Sequence, residues 1–235
     1  MNKPKLFLLH FAGGSVYSFQ FLKSYLPEFE FIPLELPGRG KRVKEKIIKD
    51  FELAAEDIYH QIVAHTGVKD FLIYGHSMGA AIALKVANLL EKAEKFPSCI
   101  IVSGSPGPGV RDNKKRYLLE KGDFKEELKR IGGMPEEVLS NDELFSYFEP
   151  LLKADFEVVE KSDLLPFYAP VETPIYAIMG SEEENVVNIG NWKRFTSAHF
   201  VAEVLNGDHF FINNHAERIA EIIKSCYRRY YPVIQ

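Results

Sequence analysis

The sequence predicts an α/β fold with a mainly parallel central sheet and helices on both faces. Short apolar runs alternate with longer segments of helical periodicity along most of the 235 residues. Strands that alternate with helices form parallel sheets, because each helix carries the chain back across a face of the sheet before the next strand begins. This length, with 46% hydrophobic residues, is enough to bury one substantial core, so residues 1–235 are expected to form a single domain.

The predicted elements follow one another in a regular order. The first part of the chain is expected to contain strand 5–10, helix 16–26, strand 29–34, helix 51–66, strand 70–75, helix 78–92 and strand 98–103. The pattern resumes with strand 174–179, a short helix near 188–196, strand 199–205 and a C-terminal helix over 213–229. The strands are short, mostly apolar runs, as is typical of buried parallel strands. In the helices, apolar residues recur three and four positions apart.

A serine flanked by glycines stands between a strand and a helix. Gly75-His76-Ser77-Met78-Gly79 follows the apolar residues 71–73 and precedes an alanine-rich helical stretch. The alternative is a tight loop without chemistry, but a Gly-x-Ser-x-Gly segment between a strand and a helix indicates the nucleophile elbow of an α/β-hydrolase fold. Ser77 is therefore the predicted nucleophile.

A nucleophilic serine needs a histidine base and an acid that orients it, and in this fold they follow in the order acid, then histidine. Of the seven histidines, His209 lies in a loop just after the last predicted strand, where the base is expected. The acid should lie in the loop after strand 174–179, which contains Glu182, Glu183 and Glu184. Glu183 is favoured because it stands three residues after Gly180, and its two neighbours remain alternatives.

Two backbone N–H groups are expected to stabilise the oxyanion. One is that of Met78, directly after the nucleophile, and the other should come from the loop after the first strand. That loop contains Phe11-Ala12-Gly13-Gly14-Ser15, and Ala12 is the expected donor. A phosphate-binding loop is the rival interpretation, but the glycine patterns of nucleotide-binding loops are missing here.

Residues from about 111 to 165 show helical patterns but no good strand. Two groups of apolar residues at helical spacing are separated by the breaker Gly132-Gly133-Met134-Pro135. Most of these side chains are expected to pack small helices. An insertion at this point usually covers the ligand-binding edge of the sheet, so a helical lid is predicted, with some apolar side chains lining an acyl pocket.

Composition excludes several other classes of protein. The formal net charge of −4 offers no basic field for nucleic acid. Neither a signal-peptide region nor a membrane-spanning helix is predicted, so a cytoplasmic protein without a membrane partner is expected. Cys99 and Cys226 are interpreted as buried thiols, and no metal-ligand spacing is present.

The chain resembles the type II thioesterases that accompany nonribosomal peptide and polyketide synthases. The resemblance covers nearly the whole chain and departs from the family mainly at Glu183, where the family usually has aspartate. The segments that carry it are Phe11-Ala12-Gly13-Gly14-Ser15, Leu36-Pro37-Gly38-Arg39-Gly40-Lys41-Arg42, Gly75-His76-Ser77-Met78-Gly79, Gly132-Gly133-Met134-Pro135 with Leu139 and Glu143-Leu144, and Lys153-Ala154-Asp155-Phe156.

This resemblance implies that Ser77, His209 and an acid hydrolyse acyl groups from the phosphopantetheine arm of a separate acyl or peptidyl carrier protein. It implies no cofactor of the enzyme itself, because the phosphopantetheine belongs to the partner. A monomer that engages its carrier transiently is expected. A serine esterase or acyltransferase acting on small acyl esters remains an alternative, as does a non-catalytic binding module with a hydrolase fold.

A cluster of basic residues follows the second strand, made up of Arg39, Lys41, Arg42, Lys44 and Lys46. One hypothesis is that these charges steer an acidic carrier domain or its phosphate toward the site. An ordinary solvated loop explains the same pattern equally well.

Overall fold

A computed structural model describes residues 3–65, 70–110, 113–161 and 169–230, and its centre is a six-stranded sheet. The strands are β1 (Lys5–Leu9), β2 (Glu30–Leu34), β3 (Phe71–His76), β4 (Cys99–Ser103), β5 (Ile175–Gly180) and β6 (Phe200–Leu205). Their order is β2-β1-β3-β4-β5-β6, and every neighbouring pair is parallel. The predicted parallel α/β fold is confirmed, and each strand begins and ends within one residue of its predicted bounds.

Seven α-helices accompany the sheet in the described residues. They are α1 (Gln20–Lys23), α2 (Phe51–Ala64), α3 (Met78–Lys92), α4 (Lys121–Ile131), α5 (Glu136–Ser140), α6 (Asp142–Glu160) and α7 (Ala216–Tyr230). Short 3₁₀ segments occupy Gly40–Arg42, Arg116–Leu118, Val186–Phe195 and Phe211–Asn214. The short helix predicted near 188–196 is thus a 3₁₀ segment.

The core consists of two layers, one on each face of the sheet. Alternate side chains of a strand point to opposite faces, so Phe7 and Ile73 pack with residues of α2 and α3. Leu8 and Tyr74 pack on the other face with residues of α1 and α7. Burial on both faces explains why the strands read as continuous apolar runs.

The first predicted helix is much shorter than expected. A helix over 16–26 was predicted, but only Gln20–Lys23 is α-helical. Around it the backbone bonds reach back three residues, as in Ser18 N–H to the Ser15 carbonyl and Leu26 N–H to the Lys23 carbonyl. Such i−3 bonds give turns instead of a continuous α-helix.

Helices α4, α5 and α6 lie between β4 and β5 in the chain, in the segment predicted as an insertion. They share a small core of their own, made up of Phe124, Leu128, Leu139, Phe145 and Leu152. The predicted limits of the insertion, 111 and 165, lie outside the described residues.

Both cysteines, Cys99 and Cys226, are free and buried, as expected. No helix in the described ranges is long and apolar enough to cross a membrane.

Candidate active site

The candidate site lies where the sheet order changes direction. β1 lies between β2 and β3, so the chain leaves β1 toward one side and later returns to the other. A crevice forms outside the carboxyl ends of the strands at such a point. The loops after β1 and β3 bring Ala12 and Ser77 to this edge, and those after β5 and β6 bring Glu183 and His209.

Ser77 occupies a sharp turn between β3 and α3. Its φ and ψ are 55° and −114°, a strained backbone for a residue with a side chain. Its N–H donates to the Ser103 carbonyl at 2.7 Å, which ties the turn to β4. Gly79 in the first turn of α3 lies so close to the Leu9 carbonyl that a Cβ would overlap it. The local sequence thus supplies the close packing that a nucleophile elbow requires.

A continuous chain of hydrogen bonds joins three predicted site residues. Ser77 Oγ lies 3.0 Å from His209 Nε2, and His209 Nδ1 lies 2.8 Å from Glu183 Oε2. Because a carboxylate only accepts, Nδ1 carries the proton and Nε2 is free to accept from the serine. The other carboxylate oxygen of Glu183 accepts the Gly180 N–H at 2.8 Å, which fixes the side chain. Of the three consecutive glutamates, the structure places Glu183 on the histidine.

A second histidine lies behind the first. His76 is fully buried, and its Nδ1 lies 2.8 Å from Ser103 Oγ. Its ring centroid is 5.0 Å from that of His209. Burial, and to a lesser extent the neighbouring His209, hold the pKa of His76 well below its usual range. His76 therefore stays neutral beside His209.

A cavity of about 570 Å³ opens over Ser77, a size typical of small-molecule sites. Ala12 and Met78, the two predicted oxyanion donors, both line it. The segment between β4 and β5 adds apolar lining, including Leu128, Ile131, Phe156 and Val159. The cavity thus combines a nucleophile and a histidine with an apolar wall.

The hypothesis that the basic cluster steers a partner is wrong for Arg39, which is buried, whereas Arg42 is partly exposed and paired within the chain. Arg39 is 5% exposed, and its guanidinium binds both oxygens of the fully buried Asp155 at 2.6 and 2.7 Å. Arg42 binds Asp57 and Glu45. Each guanidinium is paired with carboxylates of this chain, Arg39 in the interior and Arg42 near the surface, where its side chain is 23% exposed.

Sequence patterns also did not indicate the polar contacts behind the loop after β1. His10 was assigned only to the end of a strand, yet its Nδ1 lies 2.8 Å from the Phe11 carbonyl. Asp155 accepts the Gly13 N–H at 2.7 Å. The available signal was a carboxylate among the apolar residues of α6.

Within the part of the chain that the structure describes, no group of three His, Cys, Asp or Glu residues could hold a metal ion.

Comparisons with known proteins match most of this chain to one family model. Residues 4–227 match the family model described as a thioesterase domain. The gramicidin S biosynthesis protein GrsT of Aneurinibacillus migulanus is 32% identical over 219 residues, covering 89% of this chain and 83% of its own length. The medium-chain S-acyl fatty acid synthase thioesterase of Rattus norvegicus is 31% identical, covering 86% and 78%. Among solved structures, YbtT, the type II thioesterase from the yersiniabactin NRPS/PKS biosynthetic pathway, is 27% identical with a TM-score of 0.88, covering 98% of this chain and 95% of its own.

Proposed function

The chain belongs to the thioesterase family, and we propose that it hydrolyses acyl groups held as thioesters on the phosphopantetheine arm of separate carrier proteins. It is a hydrolase of the α/β-hydrolase fold. The observation that carries the proposal is the hydrogen-bonded chain from Ser77 through His209 to Glu183 at the base of a partly apolar cavity. In this proposal Ser77 is the nucleophile, His209 the base and Glu183 the orienting acid.

The first half of the reaction forms an acyl-serine. Ser77 Oγ attacks the thioester carbonyl carbon while its proton passes to His209 Nε2, and Glu183 stabilises the resulting imidazolium. The negative charge on the carbonyl oxygen is stabilised by the N–H groups of Met78 and Ala12. When the tetrahedral intermediate collapses, the C–S bond breaks and the pantetheine sulfur leaves with the proton from His209.

The second half releases the product. Water gives a proton to His209 and attacks the acyl carbon, the same N–H groups stabilise the second oxyanion, and the ester bond to Ser77 breaks as its oxygen regains the proton. The product is a carboxylic acid. Every nucleophile, acid and base in this route is water or a side chain of the protein, so the route uses no cofactor.

A carrier-bound substrate is supported by the relatives, whose names place them in gramicidin S biosynthesis, in an NRPS/PKS pathway and with fatty acid synthase. The enzyme would clear stalled or wrongly loaded chains from a synthase. We propose that the segment with helices α4–α6 acts as a lid of one catalytic domain, which is supported by the residues that α4 and α6 contribute to the cavity wall. The proposed unit is a monomer, since one chain contributes the whole serine–histidine–glutamate set, and its partners include neither nucleic acid nor membrane. A cytoplasmic location is supported by two buried free thiols, which suit a reducing compartment.

The test is hydrolysis of acetyl- and longer acyl-phosphopantetheinyl carrier protein. Ser77→Ala should lower kcat by about 10⁴-fold or more, because the nucleophile and its base act as a unit. Glu183→Gln should lower kcat by about 10²- to 10⁴-fold. An amide has no negative charge to stabilise the His209 imidazolium and no longer holds the ring in the required tautomer.

Glu184→Gln is the matched control, because Glu184 lines the same cavity but stands one residue beyond the histidine's partner. It should keep kcat within about threefold of wild type, as expected for a change that removes no bond to His209. Equal losses in both glutamate variants would contradict the role of Glu183. A wild-type protein that hydrolyses small esters but no carrier thioester would contradict the substrate class.

A further inference from the structure

Three buried titratable side chains surround the loop after β1 without belonging to the serine–histidine–glutamate chain. His10, Arg39 and Asp155 are 3%, 5% and 0% exposed. They come from three separate parts of the fold: the end of β1, the segment after β2, and the middle of α6. All three bind the backbone of residues 11–14, the loop that contains Ala12.

His10 fixes one peptide group of this loop. The Phe11 carbonyl can only accept, so His10 Nδ1, at 2.8 Å, carries the proton. The Leu36 N–H can only donate, so His10 Nε2, at 3.4 Å, is the acceptor. Burial, followed by the charge of Arg39, lowers the pKa of His10 to about 4, so the ring is in this neutral form at neutral pH. The Gly14 N–H donates to the same Phe11 carbonyl at 2.9 Å.

The geometry of a peptide group passes this constraint on to Ala12. The Phe11 carbonyl and the Ala12 N–H belong to one planar trans peptide, in which they point in opposite directions. Two donors that hold the carbonyl on the protein side therefore direct the Ala12 N–H to the other side. Ala12 lines the cavity above Ser77, and the proposed reaction places the thioester carbonyl in that cavity.

Asp155 and Arg39 fix the next peptide group. The Gly13 N–H, which shares a peptide plane with the Ala12 carbonyl, donates to Asp155 Oδ2 at 2.7 Å. Arg39 holds that carboxylate through two bonds of 2.6 and 2.7 Å and also donates to the Gly14 carbonyl at 3.2 Å. The peptide groups before and after Ala12 are thus both held by buried side chains.

We propose that His10, Asp155 and Arg39 are positioning residues. They hold the Ala12 N–H in the orientation in which it can donate to the oxyanion of the reaction. The inference rests on the proposed function in that it takes Ala12 as an oxyanion donor. A donor fixed before the substrate binds stabilises the transition state without reorganising, so losing its support lowers kcat while substrate binding changes little.

The experiment compares His10→Leu, which removes the donor to the Phe11 carbonyl, with His10→Asn, whose amide nitrogen takes nearly the place of Nδ1. Each is assayed on acyl carrier protein thioester and on p-nitrophenyl acetate, since both substrates form the same oxyanion. We expect His10→Leu to lower kcat by about 10- to 100-fold on both, less than the loss of a whole oxyanion donor, with KM within about twofold. His10→Asn should stay within about threefold of wild type.

A transition-state analogue supplies the readout that a purely structural role would not change. An alkylboronic acid bonds through boron to Ser77 Oγ as the serine proton passes to His209, and one boronate oxygen then occupies the oxyanion position. Its inhibition constant should rise in His10→Leu by the same factor by which kcat falls. If His10→Leu does not fold, Asp155→Asn is measured in the same way and should show the same pattern.

Wild-type kcat in the folded variants, or a loss of kcat with unchanged boronate binding, would overturn the positioning role. An equal loss in His10→Asn would do so as well. Failure of the proposed function gives a different result, because wild type would then hydrolyse the p-nitrophenyl ester but not the carrier thioester. The comparison of variants on the ester would still decide the role of His10.

Discussion

Ser103 connects the nucleophile turn to the core at the scale of single residues. Its carbonyl accepts the Ser77 N–H, and its Oγ lies 2.9 Å from the Tyr74 hydroxyl and 2.8 Å from His76 Nδ1. Tyr74, His76 and Ser103 are all fully buried. Buried polar groups that lose a partner keep the full cost of their desolvation. One hydroxyl therefore satisfies two buried groups directly beneath the site.

We predict that Ser103→Ala lowers the free energy of unfolding by about 1 to 3 kcal/mol, because it leaves the Tyr74 hydroxyl and His76 Nδ1 without this partner. Urea unfolding of the purified variant measures the change. Ser140→Ala is the control, because Ser140 is exposed and its hydroxyl makes one long contact, of 3.5 Å, to Glu137. A Ser103→Ala variant as stable as Ser140→Ala would show that the buried network contributes nothing.

The connection between α4 and α5 packs directly against the residue after His209. Gly132 and Gly133 both have positive φ, at 84° and 81°. A Cβ on Gly133 would overlap the ring of Phe210. That ring lies edge-to-face with Phe11 at 5.0 Å and with His209 at 5.3 Å. The helical segment over the site is thus in contact, through one aromatic ring, with both the histidine and the loop that contains Ala12.

At the scale of elements, we predict that Gly133→Ala lowers kcat/KM on a carrier thioester by about tenfold or more. A Cβ at a positive φ is strained and displaces the Phe210 ring, which should also lower stability by about 1 to 3 kcal/mol. Steady-state kinetics and urea unfolding measure the two effects.

Gly122→Ala, in the first turn of α4, is the matched control. Nothing lies within 4 Å of a Cβ at that position, so alanine should raise stability by about 0.5 to 1 kcal/mol and leave kcat/KM unchanged. If both glycine variants behaved alike, the contact with Phe210 would have no special role.

At the scale of the whole molecule, the fold buries two histidines in their neutral form. The pKa of His10 is lowered to about 4, and that of His76 is held well below its usual range, in both cases mainly by burial. Well above pH 6.5 these residues are neutral in the folded and the unfolded chain alike. Below pH 6.5 the unfolded chain binds protons that the folded chain does not, so stability falls with decreasing pH. The pKa of Glu127 is lowered to about 2, so its stabilising contribution is lost only as the pH falls below about 4.5.

We therefore predict that the free energy of unfolding falls between pH 7.5 and pH 5, with His10 alone contributing about 2 kcal/mol. Urea unfolding across this range measures the slope. His10→Asn removes the titrating group and should reduce the loss by that amount, and the comparison cancels the contribution of every other ionisable group. An unchanged pH dependence in His10→Asn would contradict a neutral, buried His10.

The sequence by itself determined the features that arise from neighbouring residues. Alternating periodicity predicted the parallel sheet and its strand bounds, and the strand–turn–helix context of residues 75–79 predicted the tight turn at Ser77. Both are local signals. The strand and helix periods, like the requirement for Gly79, depend on residues that are only a few positions apart in the sequence. The helix predicted over 16–26 is mostly absent because the spacing of apolar residues does not distinguish an α-helix from successive turns with i−3 hydrogen bonds.

Only the tertiary structure decided which distant side chains meet. Glu183, and neither of its neighbours, lies on His209, and His209 reaches Ser77 across 132 residues of sequence. Arg39 belongs to a basic cluster for which both a partner contact and a solvated loop were considered, but it binds Asp155, 116 residues away. Burial makes an unpaired charge costly, and the fold brings a carboxylate to it. His10, at the end of a strand, gains its role from the carbonyl and the amide that the folded chain places on either side of its ring.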